Sequence, residues 1–400
     1  MRHHPLRTGH FGLLNLLVRN YTCAVTTALV FAFSVSASWA QIPDSISAES
    51  TISVLTVYAG DPVYSAWGHS ALRVQDPESR IDAVFNWGTF DVTRPNFIPR
   101  FVYGDMLYQL SIEPMTRFMR GADAEQRDVV EQILNLSPQA IHEMWGLLKE
   151  NLKEDNRSYQ YDFVLDNCST RLVDLLEATN SISLGEDRYV HTYRDMIDEY
   201  VHKRSWLDLG IDLVFGSLMD DTPDLRTRTF LPIYLMQILD DASGSNGAPL
   251  VREKRTLAEY GNDRSQEGLP WTVPLFWVLS LSFIAMTIKG LRDKSLTAPA
   301  RLDQWLLGVT GFMGLFLAGM WFVTQHWVTA LNWNVGWLLP THLAAAIVWS
   351  KWSGLRTYLR YSSYVMGIVL VLQIFLVQPI PPAMLPVAAA LTFRFWGVSR

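Results

Sequence analysis

The sequence predicts a globular α+β domain followed by an all-α transmembrane bundle of about five helices. Hydrophobic residues make up 49% of the 400 residues, which is a high share for a protein that is soluble throughout. Residues 41–240 mix polar and apolar positions as globular domains do. Long apolar segments are concentrated in residues 271–400, so the membrane part is expected there.

The first 40 residues are typical of a secretory signal peptide. Basic residues precede an apolar run over residues 21–35, and Ser38-Trp39-Ala40 has the small-x-small pattern of a cleavage site. The mature chain is therefore expected to begin near Gln41. A retained signal anchor is the alternative, and it would leave the following domain on the same side of the membrane.

The membrane part is predicted from five apolar segments, near residues 271–288, 305–325, 335–350, 362–378 and 383–396. The third and fifth are short for a span, so four spans are the alternative to five. Basic residues occupy the first and third connecting loops and the C-terminus, whereas the other two loops have none. Because positive loops remain in the cytoplasm, the chain is expected to enter the membrane from the periplasm and to end in the cytoplasm.

Charge and composition exclude several classes of partner. The net charge is −6 although the part from Trp271 onward is basic, so the globular part is acidic and nucleic acid is not an expected partner. The chain has no HExxH motif and no clustered Cys/His pattern, and no metal or other cofactor is expected.

Residues 241–270 combine small residues with a charged run and are predicted to be a linker.

Alternation, turn residues and helix caps predict the secondary structure of the globular part. Ser137 with Pro138, and Asn167 with Cys168, have the residue types of helix starts. The predicted elements are a strand over 52–58, a hairpin over 71–74 and 81–86 about the turn at 76–79, and helices over 124–134, 138–152 and 168–178.

Cys168 is the only thiol expected in the exported chain, because Cys23 lies in the predicted signal peptide. It has no partner for an internal disulfide, and an exported thiol risks oxidation, so its presence indicates a function. The start of the helix capped by Asn167 favours a thiolate, as does Arg171 on the same face, while Asp166 opposes it. The pattern favours a nucleophile, and a buried structural cysteine is the alternative.

His69 is the best candidate for the general base that a thiol nucleophile needs, although a structural histidine is the alternative. It begins a hairpin strand, which can hold its ring rigidly. His142 lies on the polar face of a predicted helix, and His191 and His202 lie in charged, exposed sequence. His342, in the third membrane segment, is expected to have a structural role at the interface or facing the bundle, and a role in an acyl cavity or in proton handling is the alternative.

Asn86 is the candidate third member of the site. The predicted hairpin sets His69 opposite Asn86 or Trp87, close enough for the amide to fix the imidazole tautomer. A one-residue slip of the register would turn Asn86 to the other face, and Asp82 and Asp166 are then the alternatives.

Three blocks of sequence occur in an order shared with a known family. They are YAGDPVYS (58–65) with GHS (68–70), FNWGTFD (85–91) with PNF (95–97), and NRSYQYDF (156–163) with DNCSTR (166–171). Over about residues 50–240, these blocks resemble the Lnb N-terminal periplasmic domain family, which also has a C-terminal membrane region. A histidine on a strand before a cysteine at a helix start is similar to permuted papain-like (NlpC/P60-like) enzymes, so that fold is implied.

The resemblance implies lipoprotein N-acylation in the bacterial inner membrane, with the catalytic domain in the periplasm. An acyl chain would move from a phospholipid to the N-terminal amine of a lipoprotein through a thioester on Cys168, with His69 as base. The implied partners are therefore the membrane, the phospholipid donor and the lipoprotein acceptor, whereas Asn86 rests on the hairpin spacing alone. Substrate-binding positions are expected within the same blocks at Tyr64, Ser70, Trp87, Arg157, Asn167 and Arg171.

Two other functions are compatible with the same residues. A cysteine peptidase or amidase acting on peptidoglycan or protein would use the same pair, because a thiolate activated by an imidazole also attacks amides. A non-catalytic envelope assembly module would use Cys168 only for packing.

Overall fold

The structure is a computed structural model that describes residues 42–187, 190–261, 270–296, 298–373, 375 and 378–400. Residues 45–400 form one compact unit. The predicted signal peptide, with Cys23, lies outside the described residues.

The described elements follow one another as strands and helices, with short 3-10 turns between some of them. The strands are β1 (Thr51–Val57), β2 (His69–Asp76), β3 (Ile81–Thr89), β4 (Leu107–Pro114), β5 (Val129–Leu134), β6 (Ser158–Gln160) and β7 (Val251–Ala258). The helices before residue 270 are α1 (Phe97–Tyr103), α2 (Met115–Ala124), α3 (Pro138–Asn151), α4 (Cys168–Ala178), α5 (Tyr193–Val201), α6 (Ser205–Val214), α7 (Leu225–Arg228) and α8 (Pro232–Asp241). The later helices are α9 (Thr272–Arg292), α10 (Arg301–Phe322), α11 (Thr341–Ile347), α12 (Leu355–Leu372) and α13 (Leu385–Val398). The 3-10 turns are Val63–Ser65, Ser217–Asp220, Trp327–Thr329, Trp333–Gly336 and Trp349–Lys351.

The N-terminal part is built on a seven-stranded antiparallel sheet with the order β6-β4-β3-β2-β1-β5-β7. Residues of α2 pack with Leu55, Val57 and Val84 on one face, and α3 packs Trp145 against Phe85 on the other. The strand and the hairpin that begin the domain are confirmed as β1, β2 and β3. The helices predicted over 138–152 and 168–178 are confirmed as α3 and α4.

The helix predicted over residues 124–134 is wrong, because β5 occupies most of this stretch. β5 lies between β1 and β7, and all six of its residues are buried. A strand covered on both faces lacks strict alternation, so its pattern is easily mistaken for that of a helix. The carboxylate of Glu131 is buried among partners that the sequence does not reveal, since it accepts from the Ser53 hydroxyl at 2.6 Å and from Arg73 at 2.9 Å.

The linker predicted over residues 241–270 is also wrong in part. Its charged run forms β7, which pairs with β5 and completes one edge of the sheet. Exposed, charged side chains are common on edge strands, because they discourage pairing with other chains. The same composition is typical of a flexible linker, which explains the error.

The described part of the chain after residue 270 contains two helices, α9 and α10, that are long and apolar enough to cross a membrane. α12 and α13 overlap the fourth and fifth predicted segments, and α13 has 14 residues. The third predicted segment, residues 335–350, is not one helix. It consists of the end of a 3-10 turn, α11 with seven residues, and the start of another turn, so α11 is too short to span.

The segment that contains α11 packs closely against α10. A Cβ atom on Gly311 or Gly314 would overlap the main chain at Leu343 and Leu338. His342 is buried there and its Nδ1 lies 3.1 Å from the Thr310 hydroxyl oxygen. The histidine faces the bundle, in agreement with the expected structural role.

The globular part and the membrane helices are joined by backbone contacts. Residues 323–334, here named the α10–α11 loop, receive the chain that follows α6: the Gly216 N–H donates to the Val328 carbonyl at 2.9 Å. A Cβ atom on Gly216 would overlap the carbonyl of Ala330. Gln378, between α12 and α13, donates to the Phe215 carbonyl at 2.8 Å. These bonds hold the sheet domain firmly against the membrane part.

Candidate active site

The site begins where the chain turns into β2. Gly68 has φ 85°, in the left-handed region, and a Cβ atom there would lie 2.7 Å from the Val57 carbonyl oxygen. Only glycine meets both conditions at low cost. His69 follows directly as the first residue of β2, so the position of its ring is set by the central strands of the sheet.

Cys168 is the first residue of α4, as predicted, and its cap is well defined. The Asn167 Oδ1 atom accepts from the N–H groups of Ser169 at 2.8 Å and Thr170 at 3.1 Å, while the Thr170 hydroxyl accepts from the Asn167 N–H at 2.8 Å. The Asn167 amide also donates to the Phe230 carbonyl at 2.9 Å. This cap leaves the N–H of Cys168 itself as the group that can face a developing negative charge.

The side chains of Cys168 and His69 are neighbours, and each shifts the pKa of the other. The His69 Nε2 atom lies 3.1 Å from the Asn86 Oδ1 atom, so Nδ1 is the ring nitrogen available to the sulfur. The main chain of Ser70 also lies beside the sulfur, and the Ser169 hydroxyl oxygen lies 4.0 Å from it. Both reactive side chains are partly accessible, so the pair is positioned by the fold without being sealed from a substrate.

The electrostatics favour an ion pair of thiolate and imidazolium. Burial raises the pKa of Cys168, but the charge and hydrogen bond of His69, with the hydrogen bonds of Ser70 and Ser169, hold that pKa below its ordinary value. Burial lowers the pKa of His69, but the thiolate and the hydrogen bonds to Cys168 and Asn86 raise it overall. The two shifts have opposite signs, as expected when each charge stabilises the other.

Asn86 contacts the imidazole, but along a diagonal rather than directly across the hairpin. Leu72 pairs with Phe85. Continuing this register would set Gly88 opposite His69, and Asn86 is then the diagonal neighbour on the same face. The pairing of β3 with β4 is irregular directly after Asn86.

Glu113 orients the Asn86 amide, and no pattern in the sequence predicted this residue. The Asn86 Nδ2 atom donates to the Glu113 Oε1 atom at 2.8 Å, which leaves Oδ1 to face the imidazole. Glu113 belongs to β4, a strand the analysis did not predict, so only the strand register could have revealed it. The alternatives to Asn86 are engaged elsewhere: Asp82 binds Arg73 at 2.7 Å and Asp166 binds Arg171 at 2.6 Å.

A cavity of about 300 Å³ lies beside His69, on the side of Asn86. Its wall includes Glu113, Glu125 and Arg127 as well as apolar residues of β1 and α2. Arg127 is held by the Tyr58 carbonyl at 2.7 Å and by the Glu125 carboxylate at 3.1 Å. The charged wall of this cavity suits a polar ligand better than an apolar one.

The predicted substrate-binding residues fall into two groups. Tyr64 is 69% exposed and donates to Glu125 at 3.1 Å, and Arg157 is exposed. Ser70, Trp87 and Asn167 are buried, and their polar side-chain groups contact protein: Ser70 meets Ser169 at 2.9 Å, Trp87 donates to Asn151 at 3.0 Å, and Asn167 forms the cap.

Arg171 is bound within the domain as well. Its guanidinium pairs with Asp166 and lies 4.3 Å from the centre of the Tyr159 ring. Its charge is therefore shared with Asp166, and the main effects that lower the Cys168 pKa come from His69, Ser70 and Ser169.

The membrane part contacts the loop that leads to Cys168, and no sequence motif predicted this contact. The Trp327 indole N–H donates to Asp162 at 2.8 Å, and the other carboxylate oxygen of Asp162 accepts from the N–H groups of Val164 and Leu165. One side chain thus orders the turn before α4 and ties it to the α10–α11 loop.

The fold and the site define a class of membrane protein in which an α/β domain carries a thiol–imidazole pair. Two family models match the chain: the Lnb N-terminal periplasmic domain over residues 39–200 and the Lnb transmembrane domain over residues 266–398. The chain belongs to the Lnb family, and it is a membrane protein with a periplasmic part. No curated protein and no solved structure matches it.

Replacing Asn86 by Ala is expected to lower the pKa of His69, because one of the hydrogen bonds that raise this pKa is removed. Alkylation of Cys168 by iodoacetamide at neutral pH should slow about tenfold, the equivalent of one pKa unit. The pH profile of alkylation measures both effects. Asp82→Ala, which removes an exposed partner of Arg73, is the matched control; an equal effect there would contradict the role of Asn86.

Proposed function

We propose that this protein is a membrane-anchored thiol acyltransferase that moves an acyl chain from a phospholipid to the N-terminal amine of a lipoprotein. The observation that carries the proposal is the neighbouring pair of Cys168, at the start of α4, and His69, at the start of β2, in a periplasmic domain held against membrane helices. The family match supports the location of the reaction, and the pair supplies a nucleophile with its acid and base.

In the first step the Cys168 thiolate attacks the carbonyl carbon of the phospholipid ester. The N–H of Cys168, left by the cap, donates to the oxyanion that develops. The bond between the carbonyl carbon and the glycerol oxygen then breaks, and the imidazolium of His69 donates its proton to that oxygen. The products are a thioester on Cys168, a neutral imidazole and a lysophospholipid.

In the second step the amine of the lipoprotein attacks the thioester carbonyl. His69, now neutral, accepts a proton from the attacking nitrogen, and the bond between carbon and sulfur breaks. The acyl chain leaves as an amide, and the thiolate and imidazolium are restored. Asn86 holds the ring in one orientation through both proton transfers.

We also infer the arrangement in the membrane. Contacts with the domain occur at Trp271, in the α10–α11 loop and at Gln378, while Arg360 meets Ser399 elsewhere in the bundle. With the basic loops, this alternation supports a multi-pass protein of about five crossings with a cytoplasmic C-terminus in the bacterial inner membrane. The order of His69 and Cys168 supports a permuted papain-like domain, and anchoring raises the effective concentration of membrane-bound substrates.

The test is intact-mass measurement of the full-length protein after incubation with phosphatidylethanolamine vesicles. We expect one added acyl mass on Cys168, removal of that mass by hydroxylamine, and release of one lysophospholipid for each acylated protein. Vesicles of a diether lipid, which has no ester, are the control. Absence of the adduct together with cleavage of peptidoglycan fragments would favour an amidase, and a thiol that is inert to all probes would favour an assembly module.

A further inference from the structure

Helix α1 exposes an apolar surface that the reaction scheme does not use. None of its residues is buried, and Ile98 is 72% exposed, Phe101 48% and Val102 47%. A contiguous apolar surface of this kind on a small helix is costly in water, and it indicates an apolar partner.

The position of α1 identifies that partner. The Gln325 N–H donates to the Tyr103 carbonyl at 2.7 Å, and the His326 Nε2 atom lies 2.9 Å from the Phe101 carbonyl oxygen. Both residues belong to the α10–α11 loop, directly after a helix of span length that ends in the exposed side chain of Phe322. These contacts place the C-terminal end of α1 beside the end of α10, where the bilayer surface is expected.

Aromatic rings connect the exposed surface of α1 with the loop that leads to Cys168. The ring centres of Phe101 and Phe97 are 6.2 Å apart, those of Phe97 and Phe90 are 6.0 Å apart, and those of Phe90 and Tyr108 are 5.0 Å apart. Tyr108 stacks on Tyr161 at 4.3 Å, and Tyr161 immediately precedes the turn that leads to Cys168.

Tyr161 and Cys168 flank one narrow turn. The main chains of Asp162 and Asp166 form two hydrogen bonds, at 3.0 and 3.2 Å, which bring the residue before Asp162 close to the start of α4. The rings thus form a row that starts at the bilayer surface and ends near the sulfur. Along this row the side chains are aromatic, whereas the cavity on the other side of His69 carries Glu113, Glu125 and Arg127.

We propose that α1 and this row of rings form the entry path for one acyl chain of a phospholipid from the periplasmic leaflet to Cys168. This inference rests on the proposed function, because it names the route of its acyl donor. An acyl chain matches the apolar row, and the bilayer that supplies it adjoins the exposed face of α1. The polar cavity near Asn86 is left for the headgroup side of the reaction or for the incoming amine.

The first test uses the full-length protein in vesicles of phosphatidylethanolamine and phosphatidylglycerol. Ile98→Ser with Val102→Ser should reduce the rate of thioester formation from vesicle phospholipid about tenfold or more, because two exposed apolar contacts with lipid are lost. Alkylation of Cys168 by iodoacetamide, which reports the state of the thiol, should change far less. Leu147→Ser on α3, where Leu147 is 40% exposed, is the matched control and should keep the wild-type rate.

The outcomes separate the two proposals. A double variant that keeps the wild-type rate with phospholipid overturns the entry path, and so does a variant that loses iodoacetamide reactivity to the same extent, because the helix then acts through the fold. A wild-type protein that forms no thioester contradicts the proposed function instead.

The second test does not depend on the reaction. Benzoylphenylalanine placed at residue 98 should form a covalent adduct with phospholipid on illumination, and the same group at residue 147 should not. Adduct formation with a protein in place of lipid, or equal lipid adducts at both positions, overturns the proposal that α1 meets the bilayer.

Discussion

Replacing His69 by Gln is expected to raise the pKa of the Cys168 thiol and to slow acyl transfer by about a factor of 10³. Burial alone raises that pKa, and the charge and hydrogen bond of His69 are the first of the effects that lower it. Without them the thiolate is a minor species at neutral pH. The variant also lacks the group that donates and accepts protons in both steps.

The pH dependence of alkylation distinguishes the loss of the thiolate from the loss of proton transfer. In the wild-type protein the thiolate should persist as pH falls below the ordinary thiol range, and it is lost only through the lowered pKa of Cys168. The imidazolium should persist as pH rises above the ordinary histidine range, until the raised pKa of His69 is reached. In His69→Gln the alkylation midpoint should move up. His142→Gln, on the exposed side of α3, is the control. An unchanged midpoint in His69→Gln would show that the imidazole does not set the thiolate.

Replacing Cys168 by Ser is expected to abolish the thioester and to reduce acyl transfer by about 10⁴ or more, since a serine hydroxyl is a far weaker nucleophile here. Serine is close in size to cysteine, and the Asn167 cap uses the N–H groups of the following residues, so the fold should be preserved. The measurement is the mass of envelope lipoproteins in a strain that depends on this protein, together with thermal unfolding of the purified variant.

Two results would oppose this expectation. Lipoproteins that gain the acyl mass in the Cys168→Ser strain would show that the sulfur is not the nucleophile. An unfolding temperature well below that of the wild type would instead attribute the loss to stability. Cys168→Ala removes the hydroxyl as well and should give the same lipoprotein masses as Cys168→Ser.

The reactive pair could be predicted from sequence because each member has a local signature. Asn167-Cys168 has the residue types of a helix start, and His69 follows a glycine and begins a strand. These signals depend on neighbours in the chain. The hairpin could be placed from its turn residues, although its actual register makes the contact of Asn86 with His69 diagonal rather than direct.

The rest of the site depends on residues that are distant in sequence. Glu113 reaches Asn86 from β4, and Trp327 reaches Asp162 from the α10–α11 loop, 165 positions along the chain. β5 was mistaken for a helix because both of its faces are buried, and the strand that pairs with its outer edge follows residue 250. Local sequence patterns do not predict partners that are distant in the chain, so only the tertiary structure shows them.

The late return of the chain to the sheet as β7 has a consequence for biogenesis. Until residues 251–258 emerge from the translocation machinery, β5 has hydrogen-bonding groups with no neighbour on one side. During synthesis this unpaired strand edge is exposed and can pair with other nascent chains. A shortened version that stops near residue 240 would leave the edge of β5 unpaired and should aggregate. A version that continues through Ala258 includes β7, which pairs with that edge.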